Sequence, residues 1–197
     1  MQIRTFVTGG HIFRKRVKKS AKLWWLRSLN QCLLKSARIS SVIYIGTGSN
    51  LNNPQQQIER AYGYLVGDNR IDITGKSSFY RTPPLGPQDQ PDYINSVVAI
   101  TTDYSPLELL RFLQGVEQQM GRVKTGRWRE RVIDLDILVY KNRVIKESQL
   151  TIPHQGIPER AFVLYPLAEV APELEIPEFG KVADLKAKCT GKIKKIG

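Results

Sequence analysis

Hydrophobic and polar residues alternate along the middle of the chain in short runs that predict β-strands. Four such runs lie at 42–46, 71–81, 93–102 and 133–140, and Gly75 interrupts the second of them. A loop with four prolines separates the second run from the third, and proline lacks the backbone donor that a central strand needs. The pattern therefore predicts four strands and one rigid connecting loop.

Two segments with apolar residues at helical spacing lie between these strands. The first is predicted at 54–66, where Ile58 and Leu65 belong to one apolar face. The second opens with Ser105-Pro106-Leu107-Glu108, a capping box with proline at the first helical position, and ends near Met120. The resulting β-α-β-β-α-β order is typical of ferredoxin-like folds. It predicts an α+β domain with a four-stranded antiparallel sheet, both helices on one face, and the other face left for a ligand.

Residues beyond 140 are expected to complete this domain with smaller elements. Lys141-Asn142 is typical of a hairpin turn, and helices are predicted at about 159–170 and 182–188. A chain of 197 residues is long enough to bury one core without disulfides. We therefore assign the domain to residues 41–197 and treat residues 1–40 as an extension.

The net charge of +12 is concentrated at the start of the chain. Residues 1–40 contain ten Lys or Arg and no Asp or Glu, so the remainder has 20 basic residues against 18 acidic ones. This composition suits an organelle presequence, a basic arm for nucleic acid or membrane surfaces, or sequence upstream of the true start. The third interpretation is favoured because a compact domain begins at Val42, and we expect the extension to be disordered.

Cysteine content and hydropathy narrow the protein class further. Cys32 and Cys189 are the only cysteines and have no metal-ligand spacing, which argues against a disulfide scaffold or a zinc site. No apolar run approaches the roughly 18 residues of a membrane span. We therefore expect a protein of a reducing, cytoplasmic compartment.

Two aspartates lie two residues apart in the fourth predicted strand, where aspartate is uncommon. Asp134 and Asp136 point to the same face of the strand, so their charges repel unless a cation lies between them. The preceding loop carries five cationic residues: Arg122, Lys124, Arg127, Arg129 and Arg131. Carboxylates that hold a divalent ion beside arginines form a binding site for a metal–polyphosphate. This combination favours phosphoryl transfer as the reaction.

Both features also have simpler interpretations. The aspartates could lie on a solvent-exposed strand edge, and the cationic loop could bind RNA, with Trp128 stacked on a base. Against a plain exposed edge, the alternation predicts an apolar face of Ile133, Leu135, Ile137 and Val139, with Leu138 and Tyr140 continuing the face of the aspartates.

The segment from Ser77 to Asn95, SSFYRTPPLGPQDQPDYIN, resembles the signature loop of the 6-hydroxymethyl-7,8-dihydropterin pyrophosphokinase family. Shorter motifs follow in the same order: Gly48-Ser49-Asn50, Glu117 through Gly121-Arg122, Arg127-Trp128, Arg131 with Asp134-Leu135-Asp136, and Pro153-His154. The resemblance spans about residues 42–175. It implies a ferredoxin-like monomer that transfers the terminal pyrophosphate of ATP to the hydroxymethyl group of the pterin in folate synthesis, with release of AMP.

The resemblance also implies roles for individual residues. Asp134 and Asp136 would hold two Mg²⁺ ions, and Arg122 and Arg131 would stabilise charge on the phosphates. The residues implied in pterin binding are Thr82, Pro83, Leu85, Tyr93, Asn95, Trp128 and Phe162. The residues implied in ATP binding are Leu110, Gln114, Glu117, Lys124, Trp128, Ile137, Leu150, Thr151, His154 and Arg160. The implied partners are these two substrates, without nucleic acid or membrane.

The loop before Asp134 departs from the family pattern. Arg129-Glu130 stands where many relatives have Gly-Pro, the loop is one residue shorter, and Gln155 replaces a frequent tyrosine. An impaired relative that binds both ligands without turnover therefore remains an alternative. An RNA-binding module, whose affinity would depend strongly on salt, is the other.

Overall fold

The computed structural model describes residues 41–122 and 129–196. The predictions for residues 1–40, Lys124, Arg127 and Trp128 therefore lie outside the described residues. The strands are β1 (Ile43–Ser49), β2 (Ile71–Lys76), β3 (Phe79–Thr82), β4 (Tyr93–Thr102), β5 (Asp134–Tyr140), β6 (Ile145–Lys146), β7 (Thr151–Ile152), β8 (Glu175–Ile176), β9 (Gly180–Lys181) and β10 (Lys194–Ile196). The helices are α1 (Pro54–Gly67), α2 (Pro106–Gln119), a 3₁₀ turn (Ile157–Glu159), α3 (Ala161–Val170) and α4 (Val182–Lys188).

The main sheet is antiparallel and has six strands. Its order is β10-β3-β4-β1-β5, and β2 pairs with the second half of β4. The prediction of four strands is therefore wrong, for two reasons. The run at 71–81 breaks at Ser77, whose hydroxyl accepts the Val97 amide at 3.0 Å, and β10 adds to the edge of β3.

The helices cover the two faces of the sheet unequally. On one face, α1 and α2 bury Ile58, Leu65 and Leu113 in a core that includes Ile45 and Val98. On the other face, α3 covers only part of the sheet and α4 packs against α3, with Leu164, Leu167 and Val182 in a second core. The second face is thus only partly left for a ligand, because α3 packs beside the space that remains.

A β-bulge in β5 changes the predicted alternation at its end. The pairing with β1 shifts by one residue between Ile45, opposite Ile137, and Tyr44, opposite Val139. Two consecutive residues, Leu138 and Val139, consequently lie in the α3–α4 core, and Tyr140 returns to the α1–α2 core. The predicted faces of Val139 and Tyr140 were therefore wrong, whereas those of Ile133, Leu135, Ile137 and Leu138 were correct.

Helix α2 begins and ends as its sequence predicts. The Ser105 amide donates to the Glu108 carboxylate at 2.8 Å, and the Ser105 hydroxyl accepts the Glu108 amide, which completes the capping box. After the helix, Gly121 adopts a φ of 85°, a left-handed conformation that glycine tolerates. This turn lets the Arg122 amide donate to the Glu117 carbonyl at 2.9 Å, and it brings Arg122 back against the helix.

The elements after β5 follow the prediction with one change of pairing. Lys141 and Asn142 form a turn, but β6 pairs with β7 rather than with β5. The predicted helix at about 159–170 is a 3₁₀ turn followed by α3, and α4 has the predicted bounds. Among the described residues, the structure contains no helix of sufficient length and apolarity to span a membrane.

Candidate active site

A cavity of about 320 Å³ opens on the partly covered face of the sheet. Gly46 and Gly48 of β1 form its floor: Gly46 lies opposite Asp136 in β5, and Gly48 lies between Asp134 in β5 and Asn95 in β4. A Cβ at Gly48 would come within 3.1 Å of the Asn95 amide oxygen. Glycines in the central strand thus keep the space between the neighbouring polar side chains open.

All six described residues that the resemblance assigns to pterin binding line this cavity. They are Thr82, Pro83, Leu85, Tyr93, Asn95 and Phe162. The Asn95 amide donates to the Thr82 hydroxyl at 3.0 Å, which orients the polar edge of this wall. Burial raises the pKa of Tyr93, whose hydroxyl donates to the Arg129 carbonyl at 2.9 Å. Aromatic rings with ordered amide groups suit a flat, polar-edged heterocycle.

The loop between β3 and β4, residues 83–92, is braced by its own glutamines. The Gln88 amide donates to the carbonyls of Pro84 and Gly86, at 3.0 and 2.8 Å. The Gln90 amide donates to the Pro87 carbonyl at 2.9 Å. Carbonyls in a proline-rich loop have few backbone donors nearby, so these side chains supply them. The loop is ordered by internal contacts that do not involve a ligand.

Asp134 lies between two arginines, on the side of the cavity away from Tyr93 and Asn95. Its carboxylate is 2.7 Å from the Arg131 guanidinium and 2.9 Å from that of Arg122. Arg122 also pairs with Glu117, and the Glu117 carboxylate accepts the Leu135 amide at 2.8 Å. Burial raises the pKa of Glu117, while the Leu135 amide and Arg122 act in the opposite direction. Carboxylates thus hold both guanidinium groups, and Arg131 lines the cavity whereas Arg122 does not.

Asp136 differs from Asp134 in having no hydrogen-bond or ion-pair partner among residues 41–122 and 129–196. Burial raises its pKa, the charge of Asp134 raises it further, and nearby His154 and Arg160 lower it. A partly buried carboxylate without a counterion is costly, so this position favours binding of a cation.

The donor set fits magnesium bound together with phosphate better than a protein-enclosed metal. Within the described ranges there is no group of three or more His, Cys, Asp or Glu side chains that could enclose an ion. Mg²⁺ keeps several waters and is commonly held by one or two carboxylates together with substrate phosphates. Two carboxylates that line one cavity beside arginines meet that requirement.

The residues that the resemblance assigns to ATP are only partly gathered at the cavity. His154 and Arg160 line it, and the His154 Nδ1 accepts the Gly156 amide at 2.9 Å, which leaves the proton of a neutral ring on Nε2. Leu110, Gln114, Glu117, Ile137, Leu150 and Thr151 do not line it. Ile137 and Leu150 are buried in the α1–α2 core, and Lys124 and Trp128 lie outside the described residues.

Sequence reasoning gave no role to several polar residues that support the site. Asn50, after β1, and Gln90, in the proline-rich loop, are buried and bonded to each other at 3.1 Å. Thr47 and Ser96 are joined by a 2.7 Å hydrogen bond beneath the floor, where the Tyr62 hydroxyl meets Ser96 at 2.6 Å. The sequence did give one signal for these residues: they are polar and lie at the ends of apolar strands. A polar group buried at such a position needs a hydrogen-bond partner.

Comparisons with known proteins show the family of the chain. A model of the family described as 7,8-dihydro-6-hydroxymethylpterin-pyrophosphokinase matches residues 44–172. The 2-amino-4-hydroxy-6-hydroxymethyldihydropteridine pyrophosphokinase of Haemophilus influenzae is 46% identical over 142 residues, which cover 72% of this chain and 89% of that protein. The protein of the same name from Pseudomonas aeruginosa is 40% identical over 147 residues, 75% of this chain and 91% of that one.

Solved structures show the same fold at lower identity. The Plasmodium falciparum HPPK-DHPS wild type with STZ-DHP aligns with a TM-score of 0.59 and 15% identity, over 75% of this chain and 43% of that one. The chain therefore spans less than half the length of that solved protein. The family match over 129 residues and the curated relatives decide the assignment: the chain belongs to the 7,8-dihydro-6-hydroxymethylpterin-pyrophosphokinase family.

Proposed function

We propose that this chain transfers pyrophosphate from ATP to the hydroxymethyl group of 6-hydroxymethyl-7,8-dihydropterin, as a step of folate biosynthesis. The pterin hydroxyl oxygen attacks the β-phosphorus of ATP and loses its proton. The bond between the β-phosphorus and the oxygen that bridges it to the α-phosphate breaks, and AMP leaves. The products are AMP and the pterin diphosphate, which makes the chain an ATP-dependent diphosphotransferase.

One observation carries the proposal. A single cavity has aromatic and amide groups on one wall (Tyr93, Asn95). On the other wall it has Arg131 and the Asp136 carboxylate, which forms no ion pair within the described residues. A flat heterocycle and a polyphosphate can therefore lie side by side in it. Such positioning supplies much of the catalysis in phosphoryl transfer, because the protein itself makes no covalent bond.

Asp134 and Asp136 are the residues that would hold magnesium. When bound, the metal neutralises phosphate charge and polarises the phosphorus that is attacked. Asp136 has no competing partner in the described part of the chain, whereas Asp134 is engaged by Arg122 and Arg131. We infer that these arginines transfer from the aspartate to the phosphates when ATP binds, since guanidinium groups match both anions in shape.

We assign the remaining family roles from the position of each residue where it lies at the cavity, and otherwise from the resemblance. His154 and Arg160 would contact ATP where they line the cavity. The roles of Lys124 and Trp128 in closing over the substrates, and those of Leu110, Gln114, Ile137, Leu150 and Thr151 in the nucleotide site, rest on the resemblance alone. Glu117 acts through Arg122, with which it pairs.

We further propose that residues 41–197 form a monomeric domain of ferredoxin-like type. Its support is the β-α-β-β-α-β order of the first elements and the arrangement of β5, β1, β4 and β3 in one antiparallel sheet.

The test is AMP release from ATP by the purified full chain. We expect AMP to accumulate only with both the reduced hydroxymethylpterin and Mg²⁺, and to stop when EDTA removes the metal. A chain that begins at residue 41 should give the same rate. AMP or ADP formed without the pterin would indicate ATP hydrolysis instead, and binding of both ligands without AMP would indicate an impaired relative.

A further inference from the structure

Asn50 makes buried hydrogen bonds to two segments that meet at the cavity. Its side chain is 2% exposed. On one side its amide nitrogen donates to the Gln90 side-chain oxygen and the Pro91 carbonyl, both at 3.1 Å. On the other side its side-chain oxygen accepts the Arg131 amide at 2.9 Å, and its own amide donates to the Arg131 carbonyl at 3.1 Å.

These contacts connect two sides of the cavity. We name them for their proposed ligands: the pterin wall (Tyr93, Asn95 and the 83–92 loop) and the phosphate wall (Arg131, Asp134 and Asp136). Gln90 and Pro91 end the proline-rich loop, and Arg131 supplies one of the two guanidinium groups that hold Asp134. Asn50 follows the glycine floor of β1 and does not itself line the cavity. Its geometry is thus that of a brace between the two walls.

Among the described residues, two other contacts join the same segments. They differ from those of Asn50 because they are exposed to solvent. The Arg129 guanidinium is 3.8 Å from the Asp89 carboxylate, with side chains 48% and 72% exposed. Exposed pairs of this kind contribute little to stability, because solvent screens them. The Tyr93–Arg129 hydrogen bond is also exposed. A buried polar group that loses its partner cannot replace the hydrogen bond with one to water, so the buried contacts of Asn50 dominate.

We propose that Asn50 is a positioning residue that holds Arg131 in place relative to the ordered 83–92 loop. This rests on the proposed function, because it assigns Arg131 to the transferred phosphates. The 83–92 loop, which is ordered by its own contacts, fixes Asn50 through Gln90 and Pro91, and Asn50 fixes the backbone of Arg131. The Arg131 side chain then reaches the phosphate region from a backbone held at both its amide and its carbonyl.

The test is a double-mutant cycle of Asn50→Ala and Arg131→Ala, with AMP release as the readout. Displacement of a catalytic group by about 1 Å can cost about 100-fold, so we expect Asn50→Ala to lower kcat by about 10- to 100-fold. The KM for ATP should change much less. In the Arg131→Ala background, Asn50→Ala should have almost no further effect, because the group that it positions is gone.

A general loss of folding would behave differently from this coupling. It would lower activity by the same factor in both backgrounds, and that result would overturn the proposal. Thermal unfolding of each variant shows whether the assay temperature lies below its transition. If the alanine variant does not fold, Asn50→Asp replaces it in the same cycle, since it keeps the acceptor for the Arg131 amide and loses the donor to the loop.

The control is Asn142→Ala, which removes an exposed asparagine from the turn after β5 and should leave kcat unchanged. An unchanged kcat in Asn50→Ala, with an active wild-type chain, overturns the positioning role alone. No AMP from the wild-type chain overturns the proposed function and the role of Asn50 with it. The two failures are therefore distinguishable from the wild-type measurement.

Discussion

The two walls of the cavity are held in place by different kinds of contact. The pterin wall consists of β4 and of a loop whose carbonyls are bonded by its own glutamines. The phosphate wall is held by side-chain ion pairs. The guanidinium groups of Arg122 and Arg131 both pair with the carboxylate of Asp134. Backbone and amide contacts can persist unchanged when a ligand binds, whereas ion pairs to Asp134 would have to be replaced if this carboxylate binds a metal as proposed.

Under the proposed function, this difference assigns separate tasks to the two walls. A wall ordered before binding reduces the entropy lost when the substrate is held, which favours affinity and selectivity for the pterin. A wall of exchangeable ion pairs keeps its arginines near the site until a polyphosphate of higher charge replaces the aspartate as their partner. Substitutions in the first wall should therefore change binding, and substitutions in the second should change the rate of transfer.

The largest effect is expected from Asp136→Asn. The substitution removes a proposed magnesium ligand, so Mg²⁺-dependent AMP release should fall below detection. The unfolding temperature should not decrease, because the partly buried carboxylate has no partner in the described structure and is repelled by Asp134. AMP release and thermal unfolding without metal check both parts. Retained activity would contradict the metal assignment, and a large loss of stability would reveal a structural role.

Arg131→Ala should have the next largest effect. Loss of one electrostatic stabiliser typically lowers kcat by about 10²–10³-fold, and pterin affinity should be nearly unchanged. Arg131→Lys keeps the charge but cannot pair in two places with phosphate, so it should recover little of the rate. Single-turnover measurements with saturating substrates separate this effect from binding. Full recovery by lysine would mean that charge alone is needed at this position.

Tyr93→Ala tests the opposite wall. Removal of an aromatic ring that stacks on a flat heterocycle costs about 1–3 kcal/mol, by analogy with base stacking, which corresponds to about 5- to 150-fold in pterin affinity. Binding of an ATP analogue should change far less. Tyr93→Phe is the matched control, since it keeps the ring and removes only the hydrogen bond to the Arg129 carbonyl. Equal weakening of both ligands would contradict the separation of the walls.

Local patterns predicted the elements of the fold well and their pairing less well. The capping box at Ser105 and the glycine end of α2 act through neighbouring residues, so they are visible in sequence. The bulge that turns Val139 to the α3–α4 core, and the pairing of β10 with β3, depend on long-range register, which alternation alone does not specify. Propensity could not reveal that the terminal Lys194–Ile196 segment joins the sheet.

In the candidate site, too, local spacing could be predicted from the sequence and long-range contacts could not. The spacing of Asp134 and Asp136 predicted their common face, and both line the cavity. Their unequal environments could not be predicted, because Arg122 and Arg131 pair with Asp134 only after the Gly121 turn and the end of β1 have been placed. Asn50 was missed for a related reason: its partners at residues 90, 91 and 131 are distant in sequence.

The smallest effect is expected far from the transferred phosphates, at Glu169 of α3. Its carboxylate accepts the Tyr80 hydroxyl at 2.7 Å and the Ser78 hydroxyl at 2.8 Å, and it pairs with Lys195 of β10 at 3.0 Å. Burial opposes ionisation, but these donors prevail and lower the pKa of Glu169 to about 2, from an ordinary value of 4.5. The carboxylate thus ties α3 and β10 to β3, the strand that leads into the pterin wall.

A lowered pKa stabilises the folded state only while the carboxylate is ionised. The contribution is present in full above the unfolded-state pKa of 4.5 and is lost as the pH falls through about 2. Glu169→Gln should therefore destabilise the protein modestly at pH 7 and make little difference near pH 2.5. Urea unfolding of both proteins at the two pH values measures this, with kcat at pH 7 expected to stay unchanged. If kcat fell together with stability, the phosphate wall would depend on the scaffold of the pterin wall, and the two could not be treated as separately held.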